Sequence, residues 1–139
     1  MEERRFSKGG RSKDYLRAIY ELRDDDRWIR TKEIAGFLGV SPPTVSETLQ
    51  RLSTKGLVKY KPYHGVRLTS EGLSEASEIS KKETILTQFL VIFLKIEEKI
   101  ARVEANRLLH SVSDEILAII YESIPSEERL NFPSLSQKR

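Results

Sequence analysis

Apolar residues recur along this chain at two periods, and the switches between them mark the elements. From Ser12 to about Arg23, Tyr15, Leu16, Ile19 and Leu22 follow at helical spacing. Asp24-Asp25-Asp26 closes that helix in a solvated loop, and Trp28-Ile29 follow as packing candidates. A short helix carrying Ile34, Ala35 and Leu38 is predicted next, with Thr31 as its N-cap and Gly39 as its stop. Ser41 caps another helix. Pro42 takes its first position, where a missing N–H costs nothing, and Val45, Leu49 and Leu52 line its inner face as far as Gly56.

Between 57 and 69 the period drops to two. Val58 and Tyr60 share one face of a short strand, and Val66 and Leu68 lie on the facing strand beyond a turn containing Gly65. Two helices joined by Gly39-Val40-Ser41 have the length and turn chemistry of a helix-turn-helix, and a basic hairpin directly after the second helix is a wing. The helical period then returns. A long helix opens at Thr69-Ser70-Glu71 and runs to about Leu94, with Leu73, Ala76, Ile79, Leu86 and Leu90 on one stripe. A second covers about Glu97 to Leu109, with Ile100, Val103 and Leu108 expected inside. A third, capped by Ser113-Asp114-Glu115, contains Ile116, Leu117, Ile119 and Ile120. The predicted fold class is mainly α, a winged helix-turn-helix followed by a helical domain.

Composition narrows what such a chain does. Its longest apolar run, Phe89 to Leu94, falls far short of the ~20 residues a membrane span needs, and the first residues have no hydrophobic secretory segment. Cytoplasm is the default address. The absence of cysteine removes disulfides, thiolate metal sites and cysteine nucleophiles. There are two histidines, neither in triad or zinc spacing, and no phosphate-binding glycine loop, which argues against an enzyme. Charge is split along the chain. Residues 1–70 hold 15 Lys and Arg against 9 Asp and Glu, whereas residues 71–139 hold 9 against 12. Only the first half is suited to a polyanion.

Three strings then carry a family resemblance: Lys13-Asp14-Tyr15-Leu16-Arg17-Ala18-Ile19-Tyr20-Glu21-Leu22, Leu38-Gly39-Val40-Ser41-Pro42-Pro43-Thr44-Val45-Ser46 and Gly65-Val66-Arg67-Leu68-Thr69-Ser70-Glu71-Gly72. They resemble the diphtheria toxin repressor and manganese transport regulator family, and the likeness extends over about residues 12–120. The resemblance implies a metal-activated repressor that forms a homodimer through its C-terminal helices. It implies a DNA-binding domain at 12–72 and a dimerisation and metal-sensing domain at 73–124, while composition gives a flexible basic arm at 1–11 and a tail at 125–139.

In a helix-turn-helix the second helix enters the major groove. That places Ser41, Pro43, Thr44, Ser46, Glu47 and Gln50 nearest the bases or phosphates. Pro43 and the Thr44 methyl suit thymine, Gln50 suits adenine, and Glu47 needs a cytosine amine to accept from. Arg30, Thr31, Lys32, Arg51 and Lys55 are candidates for the phosphate backbone, as are Lys59, Lys61, His64 and Arg67 on the wing. In the arm, Arg4, Arg5, Lys8 and Arg11 are candidates for the minor groove. The expected partner is a near-palindromic operator on double-stranded DNA.

For the cofactor, the resemblance implies manganese or iron held by Asp, Glu and His side chains. Asp14 and His110 match ligand positions, Glu83 stands where the family has a histidine, and Asn106 replaces a carboxylate or cysteine. Arg17 and Leu109 replace two further carboxylates. One reading is a metal held by Asp14, Glu83 and His110, completed by Asn106 or water. The other is no metal, with Arg17 or Arg107 neutralising Asp14 and Glu83, in a regulator of the same fold that has lost metal gating.

Overall fold

The computed structural model describes residues 8–129, with side chains placed from Ser12. The expectations for Arg4 and Arg5, for the side chains of Lys8 and Arg11, and for the tail from 130 onward lie outside the described residues. The chain divides into two compact units, residues up to Glu78 and residues from Ile79.

The first unit contains α1 (Lys8–Leu22), α2 (Thr31–Leu38), α3 (Pro42–Thr54), β1 (Val58–Lys61), β2 (Gly65–Leu68) and the start of α4 (Ser70–Leu94). Helix α1 begins at Lys8, four residues before the expected start, so Gly9 and Gly10 lie in the helix and not in an arm. Tyr15, Leu16 and Ile19 of α1, Ile34 of α2, Val45, Leu49 and Leu52 of α3, and Val58 and Val66 of the hairpin form one buried core. The hairpin is antiparallel, with Val58 opposite Leu68 and Tyr60 opposite Val66. Ile29 adds a third row by exchanging two backbone hydrogen bonds with Val66, both 2.9 Å. Gly65 is required there. Its φ is +126°, and a Cβ at this position would run into the Ile29 carbonyl.

Helix α2 starts differently from expectation. Arg30 is its N-cap and Thr31 its first helical residue. No hydroxyl caps this end. Instead the Glu33 carboxylate reaches back to accept from the Arg30 backbone N–H at 3.1 Å, while it also accepts from the Arg27 guanidinium at 3.0 Å. The hydrogen bond from Arg27, followed by that from the Arg30 amide, holds the Glu33 carboxyl below its ordinary range. At the other end Gly39 adopts φ 71° and donates to the Ala35 carbonyl, stopping the helix as the sequence predicts.

The second unit comprises the rest of α4, α5 (Glu98–Leu108) and α6 (Asp114–Ser123). Lys95 (φ 58°) ends α4 in the left-handed region, with the Ile96 N–H closing back to the Leu90 carbonyl. Ile79, Ile85, Leu86 and Leu90 are buried along α4, whereas Leu73, nearer its start, is 41% exposed, against expectation. The inward face of α5 is also not the one expected. Ala101, Ala105 and the capping residue Leu109 are buried, while Ile100, Val103 and Leu108 are exposed. Two small residues four apart make the buried face, and the bulkier stripe is left outward. On α6 Leu117 and Tyr121 point inward, and Ile116 and Ile119 point out. Ser113 caps α6 by accepting from the Ile116 N–H at 3.2 Å. The segment after Pro125 is tied down as far as Arg129, which donates to the Ile124 carbonyl, and Gln88 donates to the Glu128 carbonyl at 2.7 Å.

Gly65→Ala is expected to destabilise the protein by about 2–3 kcal/mol, a strained φ combined with a backbone clash, as read by thermal unfolding. Because folding lowers the Glu33 pKa, its stabilising contribution is full above the ordinary carboxylate range and fades as pH falls through the folded value. Glu33→Gln is therefore less stable than wild type at neutral pH, by under about 1 kcal/mol for so exposed a pair. The difference closes in acid, and a gap that widened there would contradict the assignment.

Candidate nucleic-acid interface

The second helix of the motif is fixed at its N-terminus by its own side chains. Ser41 Oγ accepts from the Thr44 N–H at 3.4 Å and lies 2.9 Å from Thr44 Oγ1. Pro42 and Pro43 have no N–H, and the Val45 N–H is taken by the Ser41 carbonyl at 3.1 Å. Of the four amides that normally open a helix, those of Ser41 to Thr44, two are therefore missing and a third is taken within the cap. An anion at this helix end therefore depends mainly on side chains.

Along α3, Pro43, Glu47, Gln50 and Arg51 are exposed on the face opposite Val45, Leu49 and Leu52. Thr44 is half-buried and its hydroxyl is engaged in the cap. Ser46 is also half-buried, and its hydroxyl accepts from Tyr60 on β1 at 3.3 Å. Its observed contact therefore binds helix to wing, and Tyr60 is a positioning residue that the sequence reading passed over. Arg51 reaches back to Thr48 Oγ1 at 3.5 Å, and Lys55 stands exposed at the C-cap.

The wing sorts the remaining candidates into two groups. Arg30, Thr31, Lys32 and His64 come together with Pro42, Tyr63 and Gly65 around a groove of about 320 Å³. Here the Arg30 guanidinium donates to the Tyr63 carbonyl at 3.1 Å, across 33 residues of sequence. Lys59 and Arg67 instead line a second groove of about 470 Å³, shared with Arg23, Arg27, Asp25 and Asp26. Between the groups stands Trp28. Arg67 lies 4.4 Å above its ring, Lys61 Nζ lies 5.3 Å away, and His64 meets it edge-on at 6.3 Å. Arg67 also donates to the Asp26 carbonyl at 3.0 Å, so its guanidinium is held between that carbonyl and the Trp28 ring. Trp28 was legible only as a packing residue. Its role in ordering the wing cations needs the hairpin register.

The residues expected to hold a metal are placed as follows. Asp14 on α1 and Glu83 on α4 are both buried, 4% and 5% exposed, and both are engaged within the protein. Asn106 and His110 are half-buried. His110 lies past the end of α5, where its N–H turns back to the Arg107 carbonyl. Arg17 lies 6.0 Å from the Phe37 ring, and Arg107 pairs with Glu104 on its own helix at 3.2 Å. Among the described residues no three His, Cys, Asp or Glu side chains gather in a metal-holding group.

Comparison with known proteins covers both units. The model of the iron dependent repressor N-terminal DNA binding domain matches residues 9–66, and that of the iron dependent repressor metal binding and dimerisation domain matches residues 69–129. An uncharacterized HTH-type transcriptional regulator of Methanocaldococcus jannaschii is 42% identical over 105 residues, covering 75% of this chain and 84% of that protein. The transcriptional regulator MntR of Escherichia coli is 39% identical over 104 residues, 75% of this chain and 66% of its own. The solved structure of the manganese regulator SloR superposes with a TM-score of 0.71 at 34% identity, over 80% of this chain and 52% of that one. The chain thus spans between half and two thirds of the length of MntR and SloR.

Arg67→Ala is expected to lower the unfolding temperature and leave the salt dependence of DNA binding almost unchanged. Lys32→Ala should do the reverse, lowering the log–log salt slope by about 1 without affecting unfolding. A salt slope that fell for Arg67→Ala would place that residue on the phosphate backbone after all.

Proposed function

The chain belongs to the iron-dependent repressor family, and on that footing we propose that it is a dimeric, sequence-specific DNA-binding transcriptional regulator, a repressor of the metal-homeostasis type acting on a near-palindromic operator. The observation that carries this reading is the exposed outer face of α3 beside a groove lined by Arg30, Lys32 and the wing. Residues 12–72 then read DNA, with Pro43, Glu47 and Gln50 at the base edges and Arg30, Lys32, Arg51 and Lys61 on phosphates. With most of its opening amides absent or spent, α3 relies mainly on these side chains, so binding is strongly electrostatic. A footprint of six to ten phosphates lowers affinity about 10³–10⁵-fold between 50 and 200 mM salt.

Residues 73–124 supply the second copy's docking surface. Ile100, Val103 and Leu108 of α5 and Ile116 and Ile119 of α6 are exposed in the single chain, the pattern of a helical surface that completes its burial in a dimer. No described helix is long and apolar enough to cross a membrane, and a cytoplasmic, non-enzymatic role follows from the DNA reading.

A second reading differs on the signal. Arg17 brings a fixed positive charge to a position that the family resemblance gives to a ligand carboxylate, and Leu109 stands where it gives another. This favours a regulator of the same fold without metal gating.

Operator duplexes enriched from a randomised pool, titrated by fluorescence anisotropy with Mn²⁺, Fe²⁺ or chelator, test both readings. A tenfold or larger gain on adding metal supports gating; a change within twofold supports the metal-independent form. Failure to enrich any duplex would sink the DNA-binding reading. Ile119→Glu, at a position 62% exposed, is expected to leave the monomer folded. It should give a monomer in sedimentation and weaken operator binding about 10²–10⁴-fold, the gain that two linked half-sites provide.

A further inference from the structure

Tyr63 at the wing tip is 96% exposed and adopts φ 74°, a backbone region disfavoured for residues bearing a Cβ. The strained backbone beneath it is fixed from several sides. Arg30 donates to its carbonyl at 3.1 Å, the His64 N–H closes the turn onto the Lys61 carbonyl at 2.9 Å, and the His64 ring rests edge-on against Trp28. Gly65, the next residue, lies against the Ile29 backbone. The tip is thus preorganised while its aromatic ring stands in solvent, so the ring contributes little to this chain's own core. Its neighbourhood is cationic. Arg30, Lys32 and His64 line the groove beside it, Lys61 is exposed at the end of β1, and the groove is continuous with Pro42 at the start of α3.

We propose that Tyr63 is a minor-groove contact of this regulator, an inference that rests on the DNA-binding reading above. With α3 in the major groove, the intervening phosphate backbone lies in the groove lined by Arg30, Thr31, Lys32 and His64. The Tyr63 ring then packs against the sugars of the adjacent minor groove, about 6 Å wide in B-DNA. An apolar side chain inserted there acts through shape and deformability, and favours A·T-rich or easily unstacked steps flanking each half-site. Specificity would thereby extend to base pairs that α3 never touches.

The test uses the full chain and a duplex of about 30 bp enriched from a randomised pool, long enough for two half-sites one helical turn apart. Tyr63→Ala is expected to weaken binding about 5–30-fold, the range of one aromatic contact, with the salt slope unchanged because no phosphate contact is lost. Tyr63→Phe should keep wild-type affinity, and Arg30→Ala should lower the slope by about 1. Hydroxyl-radical footprints should show flanking minor-groove sugars protected by wild type and open with Tyr63→Ala. At 96% exposure Tyr63 is dispensable to folding, and the fluorescence of Trp28, the sole tryptophan, reports the state of the wing in each variant. Tyr63→Ala binding within twofold of wild type with the same footprint overturns the proposal and leaves the DNA-binding reading standing. Failure of the wild-type chain to bind any enriched duplex overturns both.

Discussion

Ile29 and Val66 face each other through two backbone hydrogen bonds of 2.9 Å, and the DNA-facing half of the molecule is arranged around that pairing. It joins the segment before α2 to the second wing strand, 37 positions apart in sequence, with both side chains fully buried. Only glycine at 65 lets the strands approach this closely. The residues flanking Ile29 are placed as a consequence. Trp28 comes under Arg67 and Lys61, and Arg30 becomes both the N-cap of α2 and the donor to Tyr63. One strand-like residue thus sets the start of the helix-turn-helix and the position of the wing tip together. Loss of that pairing would disturb both, which is why Gly65, although it carries no side chain, controls the proposed DNA face.

The chemistry of that face follows from a second constraint, the Pro42-Pro43 opening of α3. Proline suits the first helical turn because its missing N–H needs no partner there. The same economy removes two of the backbone donors with which a helix N-terminus usually holds an anion. Ser41 spends its hydroxyl on the Thr44 amide. Anion binding therefore passes to side chains on other elements, on α2, on the wing and further along α3. This makes the electrostatic face a product of tertiary structure, with the Arg30 and Lys32 groove as its most organised part.

The same distinction explains what the sequence revealed. Features fixed within a few residues were legible: the Ser41 cap, the left-handed Gly39, the alternation of Val58 and Tyr60, and the length of α4. The start of α2 was misread because a hydroxyl at Thr31 looks like a cap, whereas Glu33, pulled by Arg27 from outside the helix, supplies the hydrogen bond to the cap amide. Ser46 was read as a base contact because its position on the recognition helix fits. Its pairing with Tyr60 depends on how the wing folds back. Cations on the wing were legible as a set. Their division between the Tyr63 groove and the Arg67 groove depends on strand register, which composition does not contain.

In the second unit the failure had another cause. A stripe of Ile100, Val103 and Leu108 reads as a core face when the chain is imagined alone, because the largest apolar residues are the ones a monomer would bury. The chain buries the Ala101 and Ala105 face and keeps the bulkier stripe outward. Such an inversion is what a helix needs when it has two apolar neighbours, a near one within the chain and a larger one supplied by a second copy. Small residues serve close approach within the chain, and branched ones supply area to the partner. Periodicity finds both stripes but cannot rank them, since the rank depends on a surface that a single chain does not include. The helix-turn-helix is specified by contacts its own sequence makes, whereas on the proposed dimer reading the apolar pattern of α5 and α6 belongs to two chains.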